Sequence, residues 1–277
     1  PSAKNINLDD PTIVADFSVT TDGLEAPWGR ARLVFIHDQE RMSNPPRSMQ
    51  EMYEYAKEHP GRLTYPEPPN FHGTTFLKQV LLETTQHIDW LSEPHSGDRF
   101  DTVTKPLWEF LDSLHPHLWR TGQEFPDSAE VMMDLFSDGL LDIALSFNPN
   151  DASQRIIDGR FASSVRSYVH DGGTIGNTHF LAIPFNTSAR AGALVWINLL
   201  LSAEAQADKA SPSVWGDPTV IDVTRLSEED RGLFDSVDLG PATLTSDALG
   251  TPLPEPHASW VEPLEVAWKE RYFGQTR

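Results

Sequence analysis

Prolines at 66, 68 and 69 restrict the backbone of one short stretch, Pro66-Glu67-Pro68-Pro69-Asn70, more tightly than any other part of the chain. Each proline has a fixed φ and no N–H, so this stretch cannot pair centrally in a sheet. Before it, Arg62-Leu63-Thr64-Tyr65 reads as a short strand bounded by Gly61 and Pro66. After it, Gly73-Thr74-Thr75 opens a run in which Phe76, Leu77, Val80 and Leu81 recur at helical spacing, with Thr74 the expected N-cap. Strand, stiff aromatic-flanked loop and helix N-terminus make residues 61–83 the local plan of a ligand site at the end of an α/β sheet. A plain strand-to-helix connection with a proline corner has the same pattern, and spacing alone leaves both readings open.

The rest of the chain supplies matching elements. Residues 12–17 and 30–37 read as strands, the second containing the wholly apolar Leu33-Val34-Phe35-Ile36. Ser48 and Glu51 form a capping box for a helix burying Met49, Met52, Tyr53 and Ala56. Asp127 and Glu130 cap another helix, with Val131, Met132, Leu135 and Phe136 inward and Gly139 as the stop. Strands are expected at 141–147, 164–170 and 179–185. Residues 189–201 are apolar nearly all round and predict a buried helix. A last helix follows Ser259 and Glu262, burying Leu264, Val266 and Trp268. Strands alternating with helices predict an α/β fold with much parallel sheet.

Bulk composition removes several function classes. With 277 residues and 39% hydrophobic content the chain can bury a substantial core. Its 21 basic and 41 acidic residues give a net charge of −20, which repels phosphate backbones, so no nucleic-acid partner is expected. Cysteine is absent, which excludes disulfides and thiol chemistry. The longest apolar run in a helical pattern, 193–201, is too short to span a bilayer and contains Asn198. No signal peptide is visible, and a start at Pro1 without Met implies an upstream segment that has been removed.

Catalytic and cofactor motifs are missing: there is no G-x-S-x-G elbow, P-loop, H-E-x-x-H or post-strand G-x-G-x-x-G. No cofactor and no metal is therefore expected. His115-Pro116-His117 does not present two ligands on one helix face, and scattered surface histidines are the expected arrangement.

The phrases PGRLTYPEPPNFHGTTFLKQVLLE and GLEAPWGRARLVFIHD resemble bacterial extracellular solute-binding proteins that feed ABC importers, most similarly their YnjB-like branch. FSDGLLDIALSFNP, GNTHFLAIPFN, WINLLLSAEAQ, VWGDPTVIDV and EPHASWVEPLEVAW agree in order, so the resemblance spans nearly everything from Glu25 onward. It implies a type 2 periplasmic-binding fold with two α/β lobes joined by crossing strands, and a periplasmic location. Residues 1–35 would be a remnant of lobe 1 with a crossing strand, 36–178 lobe 2, and 179–277 the return to lobe 1 with the C-terminal helices. The strands at 33–36 and 180–185 would lie side by side at the crossover. In the family about the first hundred residues build most of lobe 1, so lobe 1 is expected to be incomplete here and the apolar helix at 189–201 to have side chains without intrachain cover.

The implied function is capture of a small polar solute in an inter-lobe cleft and delivery to an ABC permease in the inner membrane, without covalent chemistry. The branch is linked to thiamine-like compounds. Ferric-binding relatives use adjacent tyrosines, which this chain lacks. Expected ligand-binding residues are Trp28 at the hinge; Tyr65, Asn70, Phe71, Thr74 and Thr75 from the proline-rich unit; Phe147 and Asn148 at a strand end; and Trp215 with Asp217, with Asn177 a weaker candidate. For each aromatic the alternative is core packing. The rival functions are a hydrolase-like enzyme, using His179 or an acidic residue with the Thr74-Thr75 helix terminus as oxyanion site, and a sensory ligand-binding module.

Overall fold

A computed structural model describes residues 2–273. In chain order the elements begin with α1 (Pro11–Val14), the two-residue strands β1 (Ala15–Asp16) and β2 (Val19–Thr20), β3 (Glu25–Arg32) and β4 (Val34–Asp38). Next come α2 (Met49–Glu58), α3 (Phe71–Thr84), α4 (Gly97–Leu114), α5 (Ala129–Ser137), β5 (Ile143–Ser146), α6 (Asp151–Ile157), β6 (Val165–Tyr168) and β7 (Gly176–Ala182). The chain finishes with α7 (Arg190–Leu200), α8 (Ala203–Ala210), α9 (Glu228–Asp235), α10 (Ser246–Leu249) and α11 (Val261–Tyr272).

Two hydrophobic cores define two lobes. The larger gathers Leu33, Phe35 and Ile36, the inner faces of α2 to α5, and Trp260, Leu264 and Trp268 near the C-terminus. The smaller is built from Ile6, Ile13, Leu201, Ala203, Val220, Ile221 and Leu226. Between them β3 and β7 run antiparallel, from Glu25 opposite Ala182 to Arg32 opposite Gly176. A register shift falls between Pro27 and Gly29, which leaves Trp28 bulged out of the ladder. The crossing pair is thus 25–32 with 176–182, not 33–36 with 180–185. Strand β4 instead enters the larger lobe as the centre of a three-stranded sheet, β5-β4-β6. All five of its residues are buried, as the apolar run predicts.

Several local expectations give way to tertiary context. Among the described residues every registered strand pair is antiparallel, and the parallel pairing is limited to an isolated bridge, Ile175 with Leu253. Arg62-Leu63-Thr64-Tyr65 forms no strand, although Arg62 O accepts from Asp142 N at 2.8 Å and Leu63 O from Trp119 N at 2.8 Å. Residues 12–17 hold a helical turn and a two-residue strand, with Asp10 accepting from Thr12 N as the cap. Ser128, not Asp127, caps α5, so the helix presents Met132, Met133 and Phe136 inward and leaves Val131 exposed. On α11, Leu264 and Trp268 share the inner face at i,i+4, and Val266 falls opposite, exposed. Helix α7 is not buried within this chain: none of its residues is buried, and Leu194, Val195, Trp196 and Leu199 are exposed, as expected of an apolar helix without intrachain cover. Leu201, just past its end, enters the smaller core, and the half-buried Ile197 packs against it.

Candidate functional site

Helix α3 starts one turn earlier than the sequence predicts. Asn70 Oδ1 accepts from His72 N at 3.0 Å and is the N-cap, a role asparagine fills well. A Cβ at Gly73 would lie 2.0 Å from Pro66 O, so glycine is what allows the proline loop to fold back on the first turn. This start puts Phe71 at the first helical position, edge-on to Phe147 with centroids 5.1 Å apart. It also moves Thr74 and Thr75 into the helix body. Thr74 N donates to Asn70 O at 2.9 Å, the Thr74 hydroxyl donates to Glu265 at 2.6 Å, and both residues are buried. Tyr65 is 0% exposed, stacked on Phe76, and equally remote from solvent. These three do not reach a cleft.

A cleft of about 720 Å³ does open between the lobes. The larger lobe contributes Phe71, His72, Phe147, Asn148 and, from α5 and α6, Glu130, Asp151 and Arg155. Asn148 holds the turn into α6 by accepting from Asn150 N at 2.9 Å. The smaller lobe and hinge contribute Asp16, Phe17, Glu25 and the β7 residues from Asn177 to Phe180. Of the ligand-binding residues singled out in the sequence, Phe71, Phe147, Asn148 and Asn177 line this space, as does His179 of the rival hydrolase reading, while Asn70 works as the cap beside it.

Trp28, Trp215 and Asp217 meet elsewhere. The bulged Trp28 packs against the exposed Trp215 at 5.9 Å, and Lys209 Nζ lies 5.0 Å from the Trp28 centroid. Asp217 is buried and fully occupied, with Oδ2 2.7 Å from Lys209 Nζ and Oδ1 2.9 Å from His179 Nε2. It acts as a clamp closing the α8 turn onto β7. A Cβ at Gly29 would sit 1.9 Å from its carboxylate, so that approach needs glycine. Burial lowers the Lys209 pKa, opposed by Asp217.

The electrostatics of the cleft are acidic. Arg155 is matched by Asp151 at 2.7 Å and Glu130 at 2.6 Å, and the Arg155 hydrogen bond holds Glu130 below the usual carboxylate range. Asp16 and Glu25 form no ion pair with a base among the described residues. Burial, with the neighbouring Glu25 charge, pushes the Asp16 carboxyl up. Glu25 Oε2 and Thr178 Oγ1 are both buried without a hydrogen-bond partner, and Thr178 is only 3% exposed. Beneath the floor, Lys78 and Glu255 make a buried ion pair at 2.5 Å, and Asn177 Nδ2 donates to Glu255 at 3.3 Å. Burial raises the Glu255 carboxyl despite Lys78. Sequence reasoning missed Asp16, Glu25 and Thr178, since they come from separate segments with no shared spacing. Asp16-Phe17, an acid and an aromatic beside a turn, is the one local signal.

A hydrolytic constellation is not assembled. His179 is bound to Asp217 rather than to a nucleophile, and the Thr74 and Thr75 N–H groups lie inside α3. His115, expected at the surface, is buried against Tyr65. Among the described residues no cluster of three or more metal-binding side chains occurs, and no helix is long and apolar enough to cross a membrane.

Two α/β lobes, a crossing strand pair and a cleft between them define a two-lobed binding protein of the type 2 periplasmic-binding fold. The chain matches the model of the bacterial extracellular solute-binding protein family over residues 2–229, and it belongs to that family. It is 45% identical over 260 residues to Protein YnjB of Escherichia coli (strain K12), an alignment covering 93% of this chain. The chain spans 64% of the length of that relative. Among solved structures it resembles an ABC transporter from Clostridium perfringens ATCC 13124, with a TM-score of 0.66 at 15% identity, covering 98% of this chain and 73% of that one. A periplasmic thiamin binding protein is similar with a TM-score of 0.54 at 16% identity, covering 99% and 70% of the two chains. Identities this low establish the fold alone.

Proposed function

We propose that this chain is the solute-binding component of an ABC importer, that it works in the periplasm, and that it takes a small organic cation into the inter-lobe cleft for delivery to a membrane permease. The observation that carries the solute class is the carboxylate pair Asp16 and Glu25, without a basic partner and facing a wall with Phe71 and Phe147. A cation restores charge balance to that pair, and aromatic faces favour it further. The unpartnered Thr178 hydroxyl offers a neutral hydrogen bond beside them. Phe71, Phe147 and Asn148 are the proposed contacts of the larger lobe, and Trp28 with Trp215 the proposed support at the hinge. Lobe limits near residues 35 and 178 are part of this reading and are supported by the two cores, with the chain re-entering the larger core at Ala242, Trp260, Leu264 and Trp268 and with β3 and β7 as the flexing connection. A thiamine-like compound is the first candidate, supported by the cationic preference of the cleft and by the fold shared with a thiamin-binding neighbour.

Calorimetric titration with thiamine, a primary diamine, a neutral sugar and a phosphate ester tests the reading. A cation should bind, and Glu25→Gln and Asp16→Asn should each weaken it by about tenfold or more, the scale of a lost charge-assisted contact. Preferential binding of the sugar or the phosphate ester would sink the assignment. So would cation affinity unchanged in both variants.

A further inference from the structure

A second cavity, of about 570 Å³, adjoins the crossing strands and shares Ala31 and Asn177 with the cleft. Its chemistry is the reverse of the cleft's. In a chain of net charge −20, its wall contains two arginines, Arg30 and Arg32, and no acidic side chain. Arg30 is already matched by Asp10 at 2.7 Å. Arg32 is not: it is 5% exposed, and no carboxylate among the described residues forms an ion pair with it. Its Nη2 donates to the carbonyls of Leu249 at 2.6 Å and Thr251 at 3.0 Å, while its Nε is buried without any acceptor. Burial lowers the guanidinium pKa to about 10, so it still carries its charge at neutral pH. A buried cation with only carbonyl dipoles for company is costly unless an anion completes its shell.

The rest of the wall is mostly apolar, including Phe234, Leu239, Leu244 and Pro252, with uncharged polar side chains such as Thr219, Thr243 and Ser246 between them. Asn150 Oδ1, in the same wall, is buried without a donor, because its Nδ2 is committed to Gly216 O. From the counterion-free Arg32, the acid-free and mostly apolar wall and the orphaned Asn150 oxygen, we infer that this cavity is a second binding site, for a small carboxylate with an apolar body and a hydroxyl. The carboxylate pairs with Arg32, the apolar body fills the space towards α9 and α10, and the hydroxyl donates to Asn150. Because Arg32 ends β3 opposite Gly176 of β7, the ligand sits against the strands that join the lobes.

Mandelate carries all three groups, and phenylethylene glycol is its uncharged counterpart. Calorimetry on the whole chain should show saturable, one-site binding of mandelate, with an accompanying rise in Tm, and no binding of the glycol. Arg32→Gln should weaken mandelate about tenfold or more, the effect of removing a charged partner. Leu244→Trp, which fills the cavity and leaves Arg32 intact, should abolish binding while circular dichroism stays native, and it serves if the arginine variant fails to fold. No saturable mandelate binding at millimolar concentration overturns the inference. Equal binding of the glycol, or undiminished mandelate binding in Leu244→Trp, overturns it too.

Discussion

Tyr65 shows how one side chain joins distant parts of the larger lobe. Its oxygen accepts from Trp268 Nε1 at 2.8 Å, and its hydroxyl lies 2.7 Å from His115 Nε2, which is therefore the acceptor of a neutral imidazole. Burial pushes His115 down to about 4, from an ordinary value of 6.5. The unfolded chain thus binds the extra proton more readily than the folded one between those values. Stability from this group is full above pH 6.5 and declines as pH falls towards about 4, by a total on the order of 3 kcal/mol. His115→Gln should flatten that part of the stability-pH curve measured by urea unfolding, and an unchanged slope would contradict it. None of this was legible in the sequence. Tyr65 and Trp268 are 203 residues apart, and a tyrosine beside prolines looks the same whether it flanks a cleft or closes a core. Phe71 and Phe147 were legible, because each ends or begins an element where a chain turns towards open space.

Helix α3 is buried all round over the residues from Gly73 to Leu82. Its polar members need partners from three directions. Gln79 donates to Gly173 O at 3.1 Å and accepts from Ile175 N at 2.9 Å, while Lys78 pairs with Glu255 from the C-terminal segment. Glu255→Gln leaves a buried ammonium without its counterion and should cost about 3–5 kcal/mol in chemical denaturation. The double change Lys78→Met with Glu255→Leu should be far milder, since no charge is then stranded. A single substitution no worse than the double would refute this account. The sequence located this helix and its apolar rows correctly. It missed the start, because Gly73-Thr74-Thr75 imitates a boundary that the stronger Asn70 cap supplies a turn earlier. Sheet direction was misjudged for a related reason: alternation of helices and strands records order along the chain, not which strand lies beside which.

At the scale of the molecule, the two lobes differ in how completely this chain covers them. Trp196 and Val195 on α7 are 60% and 72% exposed, although the helix is as apolar as a core element. Trp196→Lys and Val195→Glu should therefore change stability by no more than about 0.5 kcal/mol, and should lower binding of a hydrophobic dye. A loss of several kcal/mol would mean that α7 is packed after all. Apolar periodicity made that helix legible but not its surroundings, since composition shows that a face wants cover and not what supplies it. The placement of α11 has a temporal consequence. The buried residues of the smaller core are all synthesised by Leu226, whereas the larger core receives Leu264 and Trp268 among its last side chains. On the ribosome the larger lobe must therefore wait, with Tyr65 and Phe125 uncapped, until α11 has been made. Nascent chains arrested just before α11 should hold that lobe loose and open to proteases, and release of the final helix should close it in one step.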